Sequence, residues 1–262
     1  MRLAMGTFTR RAHARPEIVA FSLCLLAWVA YAPCPLFSAQ KDNKAQPVIA
    51  GQVPAAAFVP VFTPDKGRFR IVLDGRVIGN EEFEISPSGG AWTARGSTSA
   101  RAPGGEDIKA TGELKLSAEG TPIHYEWSAQ IQKKASGAVD FETGTAKCSI
   151  VLGSAAPLRK DFTFESPHVT VLDNNLYYQY AVLARMYDWK AGGKQSFPVL
   201  IPQDMVPGSI SVESIGPQHV DNAQYEALRI NSTDLEILLY VDANHRMMRL
   251  DVPSSRVTIE RE

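Results

Sequence analysis

The stretch that decides the fold runs from residue 176 to residue 189 and reads LYYQYAVLARMYDW. Its apolar residues recur at every third or fourth position, on two neighbouring stripes, which predicts a helix. Gln179, Arg185 and Asp188 are its strongly polar residues. A helix that is apolar on most faces must be covered by other parts of the chain.

Residues on both sides of this stretch indicate where the helix begins and ends. Asp173 is a favourable N-cap residue, and its acidic charge suits the positive end of a helix. Gly192 and Gly193 follow the stretch and favour a helix stop. The sequence therefore predicts a helix over residues 174–190.

Most of the chain after residue 66 alternates between apolar and polar residues. The runs Ile108–Leu116 and Ile123–Ile131 alternate most clearly and are typical of half-buried strands. Asp74-Gly75 is a hairpin turn signal, and tight turns between neighbouring strands favour a meander. We therefore predict a mostly β protein: a curled antiparallel sheet, an open or half barrel, wrapped around one central α-helix.

The N-terminal region has the order of a secretory signal. A basic region with Arg10 and Arg11 precedes an apolar run over residues 18–30, and the small residues Ser38 and Ala39 follow. The apolar run is shorter than the ~20 residues that a spanning helix needs. We predict a signal peptide over residues 1–39, a Pro/Ala-rich linker arm over 40–65 and a single antiparallel β domain over 66–262. Export to the periplasm or the medium follows, so the processed chain is not an integral membrane protein.

The composition of the processed chain limits its partners and its chemistry. Without residues 1–39 it keeps 23 basic and 27 acidic residues, a formal charge of −4. That balance offers no general basic field for nucleic acid. Cys148 is then the one remaining cysteine, so no internal disulfide can form, and its place in an alternating strand predicts a buried apolar side chain.

Candidates for catalysis have non-catalytic explanations that fit the sequence better. Paired carboxylates can hydrolyse glycosides. Glu81, Glu82 and Glu84 cluster on one predicted strand, and Asp234 and Glu236 share a face of another, and such residues would need to meet in one cleft. The same pattern arises on any solvated strand face. The histidines are too scattered for a metal site, and no G-x-S-x-G motif is present. We therefore assign no catalytic residue, metal ligand or cofactor, and a non-enzymatic role is favoured.

Aromatic and polar residues around the helix suggest a binding site. The aromatic side chains either line an apolar ligand cavity or form a solid core, and the sequence leaves both open. The polar residues before the helix either cap it within a loop or form a polar gate at the mouth of the sheet. The predicted ligand-binding residues are Tyr177, Tyr178, Tyr180, Tyr187, Trp189 and Trp127, and the predicted gate is Asp173, Asn174 and Asn175.

Four stretches resemble an uncharacterised class of exported bacterial proteins of unknown function. They are GRFRIVLDGRVIGNEEFEI at 67–85, VLDNNLYYQYAVLARMYDW at 171–189, GGKQSFPVLIPQD at 192–204 and LLYVDANHRMMRLDVPSSRVTIERE at 238–262. By architecture this class is similar to the LolA-like lipoprotein-carrier group, in which a curled antiparallel sheet surrounds a helix and holds acyl chains. The resemblance implies that fold, and it brings no catalytic residue to any position here.

The leading functional prediction is a non-catalytic envelope protein that binds or carries a hydrophobic ligand, a lipid or an acyl chain, between sheet and helix. A first alternative is a structural or assembly partner in the envelope, which would pair with another protein through an exposed strand edge or the Pro/Ala arm. A second alternative is a hydrolase that acts on glycans or esters.

Overall fold

The computed structural model describes residues 62–131 and 133–262. The predicted signal peptide and residues 40–61 of the predicted arm lie outside this described part. Within it the chain forms fifteen strands and one α-helix, α1, at Tyr178–Met186. The strands are β1 (Asp65–Leu73), β2 (Arg76–Ser88), β3 (Ala91–Arg101), β4 (Asp107–Leu116), β5 (Pro122–Gln130), β6 (Lys134–Glu142), β7 (Thr145–Leu152), β8 (Leu158–Thr163), β9 (Thr170–Val171), β10 (Lys194–Ile201), β11 (Val206–Val220), β12 (Ala223–Asn231), β13 (Glu236–Val241), β14 (Met247–Val252) and β15 (Val257–Arg261).

All fifteen strands belong to one open, curled sheet. Its order is β8-β7-β6-β5-β4-β3-β2-β1-β15-β14-β13-β12-β11-β10-β9. Two meanders, β1 to β8 and β10 to β15, are joined where β1 pairs with β15 in antiparallel fashion. The short strand β9 pairs parallel to β10 at one edge, and β8 forms the other edge. The predicted mostly β, antiparallel, curled sheet is confirmed.

The first hairpin shows how local sequence sets the register. Asp74 and Gly75 both adopt positive φ, 51° and 74°, as a two-residue turn of the mirror-image type requires. This turn pairs Leu73 with Arg76 and places Phe69 opposite Glu81. The predicted turn is confirmed, and the register carries the Glu81 side chain to the inner face of the sheet.

The helix is shorter than predicted, covering 178–186 instead of 174–190. Tyr177 is its N-cap residue and makes no side-chain capping bond, so the prediction that Asp173 caps the helix is wrong. The backbone becomes extended at Tyr187, before Gly192 and Gly193 are reached. Its residues Tyr178 to Arg185 are all buried, and it contacts β2, β3, β13 and β14.

The folded region begins a little before residue 66. Phe62 is fully buried, and its ring centroid lies 5.7 Å from that of Trp92. Asp65 is the first residue of β1. Its side chain is 2% exposed and forms ion pairs with Arg185 and Arg261. Residues 62–65 therefore belong to the domain and not to the linker arm.

Alternating strand directions gather the turns at two ends of the sheet. One end, which we call the upper end, holds the connection between β5 and β6 and the turns at 74–75, 102–106, 153–157 and 232–235. Arg185, near the C-terminus of α1, reaches Asp65 at the opposite, lower end. The N-terminus of α1 is therefore its end nearer the upper turns. In the described region no helix combines the length and apolar character that crossing a bilayer would take.

Candidate functional site

The N-terminal end of α1 is held by a carboxyl group from the sheet. The Tyr177 N–H donates to Oε2 of Glu81 over 2.6 Å, and the Tyr178 N–H donates to Oε1 over 3.1 Å. Glu81 is fully buried, although it lies 96 residues earlier in the chain. Free N–H groups at a helix start attract negative or hydrogen-bond-accepting groups. A strand residue therefore performs the capping that the sequence assigns to Asp173.

Two glycines let the helix approach the sheet at this point. Gly96 on β3 and Gly112 on β4 are direct cross-strand partners on the inner face. A Cβ at Gly96 would lie 2.3 Å from both Oε1 of Glu81 and Cδ1 of Tyr178. A Cβ at Gly112 would lie 2.9 Å from the Tyr178 hydroxyl oxygen. Glycine is required at both positions because the space of a side chain is already filled.

Asp173 forms a second buried polar cluster beside the first. Its Oδ2 accepts from the Tyr125 hydroxyl over 2.8 Å, and its Oδ1 accepts from the Gln203 N–H over 2.9 Å. Gln179 links this cluster to α1: its Nε2 donates to the Tyr125 hydroxyl oxygen over 3.1 Å, and its Oε1 accepts from the Asp173 N–H. Asp173 thus ties the segment before α1 to β5 and to the turn after β10.

Burial makes both carboxyl groups hard to ionise. It raises the pKa of Glu81 to about 8, although the N–H groups of Tyr178 and Tyr177 act in the opposite direction. Burial likewise raises the pKa of Asp173 to about 7, against the Gln203 N–H and the Tyr125 hydroxyl. Near neutral pH the region around the helix start therefore contains groups that are at the point of changing charge.

The other two predicted gate residues fasten the same segment to its surroundings. Asn174 Nδ2 donates to Oδ2 of Asp204 over 3.0 Å, and the Asn174 carbonyl accepts from Nε2 of Gln203 over 3.2 Å. Asn175 adopts a positive φ of 62°, and its carbonyl accepts from the Thr98 hydroxyl over 2.6 Å. Asparagine tolerates this left-handed backbone better than most residues. All three predicted gate residues therefore lie together at the helix start.

A small cavity lies between the N-terminal half of α1 and the strands β10 to β13. Its volume is about 20 Å³, room for about one water molecule. It extends to the surface, because Asn174, Ser232 and Leu235 in its wall are half-buried. Its polar lining is Asp173, Asn174 and Ser232, and its apolar lining is Leu172, Tyr180, Val199, Ile201, Ile210, Ile230, Leu235 and Ile237.

The predicted ligand-binding aromatics do not all meet at this cavity. Of the six, Tyr180 alone lines it. Tyr187 is buried further along, where its hydroxyl donates to the Gly193 carbonyl over 2.6 Å. Trp189 is half-buried and stacks on His245 with ring centroids 4.3 Å apart. Trp127 lies over Gly137, and Tyr177 and Tyr178 are core residues at the helix start.

The carboxylates considered for hydrolysis do not meet in a cleft. Glu82, Asp234 and Glu236 are exposed, and Glu84 is half-buried and paired with Arg95 over 2.9 Å. In the described part of the chain no three His, Cys, Asp or Glu side chains converge as metal ligands would. Cys148 is buried, and burial raises the pKa of its thiol to about 12, so it remains an uncharged core side chain.

Sequence reasoning did not place four residues of the site at the helix start: Glu81, Tyr125, Gln179 and Gln203. Glu81 was considered only as a candidate catalytic carboxylate, although it occupies an apolar position in the alternation of β2, between Gly79 and Phe83. The alternation of β5 puts Tyr125 on the apolar face but indicates no partner for its hydroxyl. The role of Gln203 depends on a turn position that no periodicity indicates.

Comparisons with known proteins identify the fold. No protein-family model and no curated protein matches the chain. The chain is similar to the crystal structure of a beta-barrel-like protein of domain of unknown function DUF1849 from Brucella abortus, with a TM-score of 0.54 and 11% identity over 78% of this chain and 97% of that one. A second solved structure, a DUF1089 family protein from Pseudomonas aeruginosa, gives a TM-score of 0.41 and 10% identity over 67% and 90%. The first match shows a shared beta-barrel-like fold with a protein whose function is also unknown.

Proposed function

We propose that this protein is an exported, non-catalytic envelope protein that binds a hydrophobic ligand, a lipid or an acyl chain, between the sheet and the helix. The observation that carries the proposal is the cavity beside α1. It is lined mostly by aliphatic side chains, it includes the predicted ligand residue Tyr180, and it has the predicted gate residues Asp173 and Asn174 on its wall. An apolar lining with a few polar groups at one side is typical of a small-ligand site.

A chain-like ligand requires this cavity to widen. At about 20 Å³ it admits one water-sized group, so the segment 172–177 must move away from β10 to β13. The bonds from Asn174 to Asp204, from Gln203 to Asn174 and from Thr98 to Asn175 oppose that movement. Further bonds hold Asp173 and Tyr177 in the same segment. A bound chain must offset these bonds by burying apolar surface, at about 0.8 kcal/mol per methylene.

A substitution at the mouth of the cavity tests this proposal without disturbing the core. Leu235→Trp would fill the half-buried entrance, and Thr233→Trp, an exposed position in the same turn, is the matched control. We expect the exported chain to bind a fluorescent fatty acid saturably, Leu235→Trp to lose at least tenfold in affinity, and Thr233→Trp to bind like the wild type.

Mass spectrometry of a solvent extract of the exported chain gives a second readout. A lipid that is present with the wild type and depleted with Leu235→Trp supports the proposal. The proposal fails if no fatty acid binds saturably and no lipid is extracted, or if both tryptophan variants bind as well as the wild type.

The envelope-partner alternative is favoured by one observation, the free edge of β8. This strand pairs with β7 on one side only within the described residues, and its residues 158–161 are exposed. Unpaired edges can accept a strand from another protein. A photo-crosslinking residue at Arg159 would then give a discrete adduct in cells, while one at Thr258 in the interior strand β15 would not. Equal labelling at both positions would remove the support for this alternative.

A further inference from the structure

Three large aliphatic side chains are exposed together at the upper end of the sheet. Leu152 closes β7 and is 52% exposed, Leu158 opens β8 and is 56% exposed, and Ile131 in the β5–β6 turn is 45% exposed. Leu158 pairs in register with Ile150, two residues before Leu152, so the two leucines are diagonal neighbours. We call Ile131, Leu152 and Leu158 the rim patch. Grouped exposed apolar residues of this size mark an interaction surface.

The rim patch lies between basic residues that have no acidic counterpart nearby in sequence. Lys133, Lys134, Arg159 and Lys160 are all exposed, and the segments 131–134 and 152–160 contain no Asp or Glu. Across residues 62–131 and 133–262, none of these four forms an ion pair within 4.0 Å. The next acidic residue, Asp161, stands opposite Lys147 in the register. On the neighbouring strand the register places Glu106 and Asp107 beside the β5–β6 turn, together with Arg101 and Lys109. The upper rim of β3 to β8 therefore carries more cations than carboxylates, on a chain that is slightly acidic overall.

We propose that the rim patch and its four basic residues dock the protein on an anionic lipid surface. The aliphatic side chains would enter the boundary between headgroups and acyl chains, and the basic side chains would lie among the phosphates. This arrangement suits a lipid surface better than a second copy of the chain. A symmetric dimer through the same patch would bring eight unpaired cations together, at a cost in repulsion.

The rim patch lies at the same end of the sheet as the mouth of the cavity beside α1. The turn 232–235, which forms the mouth of that cavity, lies at the same upper end as the connection between β5 and β6 and the turn 153–157. A protein docked by its rim patch would hold the cavity mouth at the side of the molecule that faces the lipid. Docking itself does not require the cavity, so the two proposals can fail separately.

Vesicle flotation of the exported chain tests the docking proposal. Vesicles of phosphatidylcholine with phosphatidylglycerol are compared with vesicles of phosphatidylcholine alone. We expect binding to the anionic vesicles only, weakened by salt. The double variants Leu152→Ser with Leu158→Ser, and Lys133→Glu with Lys134→Glu, should each lose at least about tenfold in binding.

Two controls separate the patch from general stickiness and from misfolding. Ile123→Ser removes a side chain that is 46% exposed at the lower end, and Lys190→Glu reverses an exposed charge after α1. Both should float like the wild type, and circular dichroism should show all variants folded. Equal binding to both vesicle types, or equal loss in the controls, would overturn the proposal. The proposal would also be overturned if the protein did not float with any vesicles but formed a dimer that dissociates in the leucine variants. That result would assign the patch to a second copy of the chain.

Discussion

The two ends of α1 are fixed in different ways. At the C-terminal end Arg185 and Asp65 form an ion pair over 2.9 Å, with side chains only 3% and 2% exposed, and Arg261 supplies a second cation to Asp65. At the N-terminal end Glu81 is just as deeply buried, but its partners are the N–H groups of Tyr177 and Tyr178. Asp173 nearby accepts from a hydroxyl and an N–H.

This difference indicates which end of the helix can move. Separating a buried carboxylate from its two guanidinium partners would leave charges in a medium that cannot solvate them. Burial instead raises the pKa of Glu81 to about 8 and that of Asp173 to about 7, and hydrogen bonds between neutral groups are worth about 1 kcal/mol each. The lower end of α1 is therefore an anchor, and the upper end, beside the cavity, is the part that the proposed ligand would displace.

The largest expected effect comes from breaking the anchor. Asp65→Asn removes the negative charge and leaves Arg185 buried without a counter-ion. We expect the free energy of unfolding to fall by about 3–5 kcal/mol, measured by urea denaturation. Asp74→Asn is the matched control, because Asp74 pairs with Arg256 at the surface, where side chains are 45% and 75% exposed, and should cost less than about 1 kcal/mol. Similar losses for the two variants would contradict the anchor.

A smaller effect, with a characteristic pH dependence, is expected at Glu81. Its pKa is about 8 in the folded chain, against an ordinary value of 4.5 for a glutamate in water, so the folded state binds more protons between these values. Its contribution to stability is therefore complete below pH 4.5 and is lost as the pH rises toward 8. Asp173, with its pKa of about 7, adds a slope of the same sign.

Glu81→Gln tests this contribution. The amide cannot accept from both N–H groups, so we expect a loss of about 1–3 kcal/mol at pH 5. The fall in stability between pH 5 and pH 8 should become shallower, because the slope from Asp173 alone remains. Glu82→Gln, on the exposed side of the same strand, should match the wild type at each pH. An unchanged slope in Glu81→Gln would show that Glu81 does not titrate in this range.

The smallest effect is expected at the gate. Asn174→Ala removes the bond to Asp204 and should lower the free energy of unfolding by about 0.5–1 kcal/mol. Hydrogen exchange of the amides in 172–177 should become about two- to fivefold faster, since local opening is favoured by the same amount. Asn244→Ala, at an exposed turn position, is the control. No change in exchange at 172–177 would mean that Asn174 does not hold the segment.

Periodicity predicted the strands well because each hairpin is a local feature. The alternation in β4 and β5 and the Asp74-Gly75 turn need no information from elsewhere in the chain. The pairing of Phe69 with Arg261 joins residues at opposite ends of the domain, and no local pattern specifies it. The predicted helix began too early because Asn175 adopts a positive φ, and bonds with Thr98, Asp204 and Gln203 hold Asn174 and Asn175 outside the helix.

The candidate site was predictable only in part, because some of its residues come from distant parts of the chain. Asp173, Asn174 and Asn175 were recognised because three polar residues in a row precede an apolar helix. Tyr180 was recognised by its place on a helix stripe. Glu81 and Gln203 come from strands and turns that only the folded sheet brings to the helix start, and the division of the aromatics between core and cavity depends on side-chain packing.

The proposal that an apolar ligand enters beside the N-terminal half of α1 is tested most directly by hydrogen exchange, with and without oleate, of the chain that follows the predicted signal peptide. We predict that oleate changes exchange in the segment 172–177 and in the turn 232–235, while the amides around Asp65 and Arg185 keep their rates. The account is contradicted if saturating oleate leaves 172–177 and 232–235 unchanged, or if its effect is confined to residues 131–158.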